Sequence, residues 1–175
     1  MSTERKGLIQ FSGKDVTVVG DDIKVGQDAP EFTVHANDWS VVKGLESTQG
    51  KVRIIAAVPS LDTSVCDRET QRFNKEAGAL GDQVAILVIS MDLPFAQKRW
   101  CGDAGVEQVK TLSDHLEADF GVKYGCLMKE VRLLRRAVFV IDRKNKVVYS
   151  DYMPVLGQEP NYAAVLEAAR KALNE

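Results

Sequence analysis

Two short apolar runs constrain this chain more than any other feature. Val52 to Val58 (VRIIAAV) and Val84 to Ser90 (VAILVIS) are rich in β-branched residues and show no strict apolar–polar alternation. Runs of that length without alternation read as strands buried on both faces, the pattern of a parallel sheet. Pro59 stops the first run, and Asp67 to Leu80 between them reads as a helix ending at Gly81. A strand, a helix and a second strand predict a parallel crossover unit, which is right-handed in nearly all folds.

The flanking segments extend this unit. Pro94 suits the first turn of a second helix, running to about Gly102, and Val109 to Leu112 reads as a short strand. His115 to Phe120 reads as a short helix closed by Gly121. Ala137 to Ile141 and Lys146 to Tyr152 flank the turn sequence Asp142-Arg143-Lys144-Asn145, which predicts a hairpin, and Tyr162 to Leu173 reads as an amphipathic helix. Near the N-terminus, Leu8 to Phe11 and Val16 to Val19 surround Ser12-Gly13-Lys14, a second hairpin signal, and Phe32 and Val34 alternate with polar neighbours. The order predicts an α/β domain: a mixed central sheet covered by helices, compatible with a thioredoxin-like fold, with an extra N-terminal β-hairpin. Residues 1–6 are polar and are expected to be a flexible terminus, leaving residues 7–175 as a single domain.

Charge narrows the function classes. Lys and Arg total 23 against 25 Asp and Glu, a formal net charge of −2. Such a chain has no electrostatic footprint for nucleic acid or for an anionic membrane. The most apolar run, Val84 to Ile89, is far shorter than the ~20 residues of a spanning helix. The first residues lack the apolar core of a secretory signal, so the expected compartment is the cytoplasm. The three cysteines are Cys66, Cys101 and Cys126. An odd number in such a chain argues against a structural disulfide framework. Adjacent cysteines lie 35 and 25 positions apart, with no short pair of the zinc-binding kind, and the C-x-x-C of disulfide reductases is absent. So are the Gly-rich phosphate-binding loops. No metal site or cofactor is expected.

Cys66 occupies a working position. The segment Pro59-Ser60-Leu61-Asp62-Thr63-Ser64-Val65-Cys66 leads from the end of a buried strand through a polar loop into a helix, with Ser64 the expected N-cap. Cys66 then falls in the first helical turn, beyond the C-terminal end of a strand, where chemistry collects in open α/β sheets. Free N–H groups and the macrodipole at a helix N-terminus favour a thiolate. An unperturbed thiol, with a pKa of ~8.5, is only about 3% thiolate at pH 7, so full ionisation gains roughly 30-fold, or about 2 kcal/mol. A fast thiol reaction therefore also needs donors aimed at the charge developing on substrate. Thr63 and an arginine from elsewhere in the chain could supply them. Position alone leaves a buried, inert cysteine as the competing reading.

Pro59, Thr63 and Cys66 form P-x-x-x-T-x-x-C, which resembles the active-site motif of peroxiredoxins. Joined to Asp92-Leu93-Pro94-Phe95-Ala96-Gln97 with Arg99, Cys101 and Gly102, the sequence resembles bacterial thiol peroxidases, the atypical two-cysteine subfamily, from about Ile9 to Leu173. The resemblance implies that Cys66 is a peroxidatic cysteine, attacking hydrogen peroxide or an alkyl hydroperoxide and becoming a sulfenic acid. It implies that Thr63 bonds the thiolate and the peroxide, that Pro59 shields the sulfur, and that Arg136, rather than its neighbour Arg135, sits beside the thiolate. Cys101 would be the resolving cysteine, forming an intramolecular disulfide before sulfinic acid can form. The resemblance also implies thioredoxin as reductant and a homodimer. A disulfide needs Cα atoms within about 7 Å, and with the two cysteines on separate helices local unwinding around Cys66 and Cys101 is expected in each cycle. Cys126 is read as a spectator thiol, with a second resolving role as the alternative. The same cysteine pair could serve a redox sensor, which would consume about one equivalent of peroxide where an enzyme consumes many.

Overall fold

A computed structural model describes all residues, 1–175. In chain order its strands and helices are β1 (Glu4–Phe11), β2 (Lys14–Val19), β3 (Thr33–His35), β4 (Val41–Lys43), β5 (Val52–Ala57), α1 (Ser64–Leu80), β6 (Val84–Ser90), α2 (Pro94–Ala104), β7 (Val109–Ser113), α3 (Asp119–Lys123), β8 (Leu127–Met128), β9 (Leu133–Leu134), β10 (Ala137–Ile141), β11 (Val147–Tyr152) and α4 (Tyr162–Leu173).

Seven strands form the central sheet, in the order β11-β10-β5-β6-β7-β3-β4. The β5–β6 and β6–β7 pairs are parallel, while β10 runs antiparallel to both β5 and β11. The two apolar runs are thus the middle of the sheet, and every residue from Val52 to Ala57 is buried. Even Arg53 is enclosed, because its guanidinium is spent on Thr48 Oγ1 and on the carbonyls of Leu45 and Asp142. One face carries Ile54, Val88 and Val138 against Phe73 of α1 and Val165 and Ala169 of α4. The other carries Ile55, Leu87 and Phe139 against Phe32, Phe120 and Tyr124.

Several details differ from the sequence-based expectation. The N-terminal hairpin belongs to a separate sheet, β1-β2-β8-β9, closed by two-residue strands more than a hundred positions away in sequence. Strand β1 begins at Glu4, inside the segment expected to be loose, because Glu4, Arg5 and Lys6 pair with Val19, Val18 and Thr17. The short helix is Asp119–Lys123 rather than His115 to Phe120, and Gly121 lies within it instead of closing it. Its lack of a side chain serves packing: a Cβ there would come within 2.8 Å of Leu134 Cδ2 and 3.2 Å of Leu127 Cβ. The N-cap of α1 is Thr63, not Ser64: Thr63 is extended (φ −85°, ψ 145°), and its hydroxyl accepts the Cys66 N–H.

Candidate active site

The β5 strand delivers the chain to Pro59, which is buried, and the turn Ser60–Thr63 redirects it into α1. Thr63 Oγ1 donates to the Ser60 carbonyl at 3.1 Å and accepts from Cys66 N at 3.3 Å. Capping fixes Cys66 as the third residue of the helix, its backbone N–H satisfied and its side chain turned inward. In this structure Thr63 therefore orients Cys66 through the backbone, and its hydroxyl bonds do not reach the sulfur.

Arg136 does reach the sulfur. It immediately precedes β10, the antiparallel neighbour of β5, and that pairing brings it alongside the first turn of α1. Its Nη2 donates to Cys66 Sγ at 3.2 Å. Its Nη1 pairs with Glu69, and its Nε donates to the Leu156 carbonyl at 3.0 Å. Cys66, Glu69 and Arg136 are all within 1% of complete burial. In so dry a setting a guanidinium aimed at sulfur is a strong electrostatic feature, able to stabilise a thiolate and then charge on an attacked oxygen. Arg135 points elsewhere, donating to the Gly125 carbonyl, pairing with Asp22 and lying 4.1 Å over the Tyr152 ring.

Glu69 went unrecognised at the sequence level. It lies one helical turn after Cys66, on the same face, a spacing that could have flagged it. Burial pushes its carboxyl up to about 7, against the opposing pull of Arg136. Its Oε1 is buried without a hydrogen-bond partner.

Cys101 sits on α2, half-buried, with Sγ 3.2 Å from Thr111 Oγ1 and 3.9 Å from Asn37 Nδ2. It borders an open, mostly polar cleft of about 570 Å³ that also takes in Asn37, Ser40, Val109 and Thr111. Cys66 and Cys101 are both free thiols on different helices. Two polar ties join the segments that carry them. Asp92, at the approach to α2, accepts from Ser60 Oγ at 2.7 Å and from Leu61 N at 2.8 Å. Trp100 Nε1 donates to Asp67 Oδ1 at 2.9 Å, linking the neighbours of the two cysteines. The Asp92–Gln97 segment thus has structural meaning: Gln97, fully buried, bonds Ser90 Oγ and the Leu112 carbonyl and seats α2 on β6 and β7.

Cys126 is remote from this arrangement. It is fully buried, its thiol donates to the Tyr124 carbonyl at 3.4 Å, and burial pushes it up to about 12. Such a thiol is a poor nucleophile.

The redoxin family profile matches residues 24–166. A thiol peroxidase of Halalkalibacterium halodurans is 52% identical over 94% of this chain and 98% of its own length. One of Bacillus subtilis is 51% identical over 93% of this chain and 96% of its own. Among solved structures, a peroxiredoxin-like protein from Aquifex aeolicus superposes with a TM-score of 0.84 at 39% identity, covering 98% of both chains. A thiol peroxidase from Chromobacterium violaceum shares the fold with a TM-score of 0.83 at 20% identity, over 95% of this chain and 97% of that one.

Proposed function

Since this chain belongs to the redoxin family and is a cysteine-based thiol peroxidase, we propose that Cys66 is its peroxidatic residue and Cys101 its resolving residue. The observation that carries the assignment is the Arg136 guanidinium 3.2 Å from Cys66 Sγ at the capped start of α1. The Cys66 thiolate attacks the terminal oxygen of a hydroperoxide. The O–O bond breaks, and the departing alkoxide or hydroxide takes up a proton and leaves as alcohol or water. Arg136 stabilises the thiolate first and the attacked oxygens next. Thr63 holds the helix turn and, on substrate entry, can redirect its hydroxyl to the peroxide. Pro59 shields the sulfur from bulk water. Cys66 is left as a sulfenic acid. Cys101 attacks that sulfur, water leaves, and a Cys66–Cys101 disulfide forms.

A dithiol reductant returns both cysteines to thiols, and thioredoxin is the reductant proposed. Cys101, half-buried beside an open cleft, is the more approachable sulfur. No helix is long and apolar enough to cross a membrane, and three free thiols suit the reducing conditions of the cytoplasm, the compartment proposed. A homodimer is proposed as the assembly, supported by an exposed apolar patch in which the ring centroids of Trp39 and Phe95 are 5.0 Å apart.

Thioredoxin-coupled NADPH consumption with cumene hydroperoxide tests the reading. Wild type should turn over continuously, Cys66→Ser not at all, and Cys101→Ser should stall or slow greatly. Undiminished turnover in Cys66→Ser would remove the assignment.

A further inference from the structure

We propose that the hydrogen bond from Trp100 Nε1 to Asp67 Oδ1 is a latch that holds the two cysteine-bearing turns closed, and that its opening controls how fast the Cys66 sulfenic acid is resolved by Cys101. The inference rests on the assignment of Cys66 and Cys101 given above.

The latch is placed by its neighbours. Asp67 directly follows Cys66 in the first turn of α1, and Trp100 directly precedes Cys101 in α2. The bond measures 2.9 Å, and Trp100 is only 9% exposed, packed in the same core cluster as Cys66. Asp67 uses its second oxygen on Gln71 Nε2, also at 2.9 Å, which keeps the carboxylate turned towards α2. Neither turn can unwind without breaking this bond, because its donor and acceptor lie on the two segments that must move.

Everything around the latch is anchored. At one end Asp92 holds Ser60 and Leu61, and Ser90 Oγ donates to the same carboxylate at 2.7 Å. At the other, Asn74 Oδ1 accepts the N–H groups of Glu107, Gln108 and Val109, tying the middle of α1 to the segment after α2. Between these fixed ends, the Trp100–Asp67 bond is the side-chain bond that joins the first turn of α1 directly to the Cys101 turn, beside the ties of Cys66 to Arg136 and of Cys101 to Thr111 and Asn37. Opening there lets the Cys66 sulfur leave Arg136 and Cys101 leave Thr111, while the rest of both helices stays in place. The resolving step is then Cys66–SOH plus Cys101–SH giving the disulfide and water. Sulfenic acid that waits in the closed form meets a second peroxide and becomes sulfinic acid, which no thiol reverses. The latch therefore trades stability of the peroxide-reactive form against exposure to overoxidation.

The test uses the full-length protein with hydrogen peroxide in rapid-quench mass spectrometry. It follows thiol, sulfenate, disulfide and sulfinate in wild type, Asp67→Ala, Trp100→Phe and Asp67→Asn. Trp100→Phe keeps an aromatic ring in the core, and Asp67→Asn keeps an acceptor for the indole. The rate of the first oxidation of Cys66 should be the same in all four. Disulfide formation in Asp67→Ala and Trp100→Phe should be about tenfold faster, as expected for losing one charge-assisted hydrogen bond from the closed form. The sulfinate fraction at a fixed peroxide excess should fall in the same proportion. Asp67→Asn, which keeps an acceptor but loses its charge, should fall between wild type and Asp67→Ala. Equal or slower resolution in both latch variants, with normal Cys66–Cys101 disulfide in wild type, would overturn the latch. Absence of that disulfide in wild type would overturn the cysteine assignment on which it rests.

Discussion

Arg135 and Arg136 are neighbours in sequence with opposite surroundings. One belongs to the Asp22–Tyr152 side of the molecule, the other to the sulfur of Cys66. Replacing Arg136 with Met should lower the second-order rate of Cys66 with peroxide by roughly 10²–10³, the usual cost of losing an electrostatic donor in a buried site. The fold should survive, since the carboxyl of Glu69, pushed up to about 7, can take a proton once its partner is gone. Arg135→Met should leave that rate within a fewfold of wild type; competition kinetics against a reference peroxide scavenger would separate the two. Glu69 also predicts a pH dependence of stability. Its carboxyl titrates near 4.5 when unfolded and about 7 when folded, so between those values the folded protein binds more protons. Stability that is present below the lower value is lost as pH rises through the window, by up to about 3 kcal/mol. Urea midpoints should fall from pH 5 to pH 8 in wild type and fall less in Glu69→Gln. At this scale the motif residues were legible in the sequence because their spacing is local. Glu69 was not legible there, and Trp100 was legible only as a core or pocket residue beside Cys101, because the Glu69–Arg136 and Asp67–Trp100 bonds join partners 67 and 33 positions apart.

At the scale of elements, the helix that carries Cys66 starts where Thr63 caps it. Thr63→Val removes the cap and leaves the Cys66 N–H without its acceptor. It should cost about 1 kcal/mol, lowering the melting temperature by roughly 2–4 °C for a chain of this size. Peroxidase rate should fall as well, and Thr63→Ser should restore both, as calorimetry and kinetics on the pair would show. The long elements were readable from the chain: β6, β10 and α4 coincide with their apolar runs and periodicity. The two-residue strands β8 and β9 were not, because a segment that short shows no periodicity. They exist through pairing with β2 and with each other. The Ser64 cap was misplaced by one residue, since Thr63 and Ser64 are both good caps and only the extended backbone at Thr63 decides between them.

For the whole molecule, one patch of surface is unlike the rest. Phe95 is 69% exposed, Leu116 59% and Trp39 40%, and His115 stacks edge-on to Trp39 at 5.3 Å. Exposed apolar clusters of this kind mark contact surfaces. Phe95→Asp should convert the proposed homodimer to a monomer in sedimentation velocity, whereas Val25→Asp, exposed beside β11 at the opposite edge of the central sheet, should not. Cys126, shut inside the fold, should stay unlabelled by iodoacetamide in the native protein, and Cys126→Ser should retain full turnover. Disulfide mapping shows which sulfur peroxide oxidises and which partner resolves it. The reduced protein would be treated with a single equivalent of hydroperoxide, unfolded in denaturant, alkylated, digested and analysed by mass spectrometry. One intramolecular link is expected, between the peptides containing Cys66 and Cys101, with Cys126 recovered alkylated. A link through Cys126, or a sulfenic acid trapped on Cys101 while Cys66 remains a thiol, would contradict the assignment.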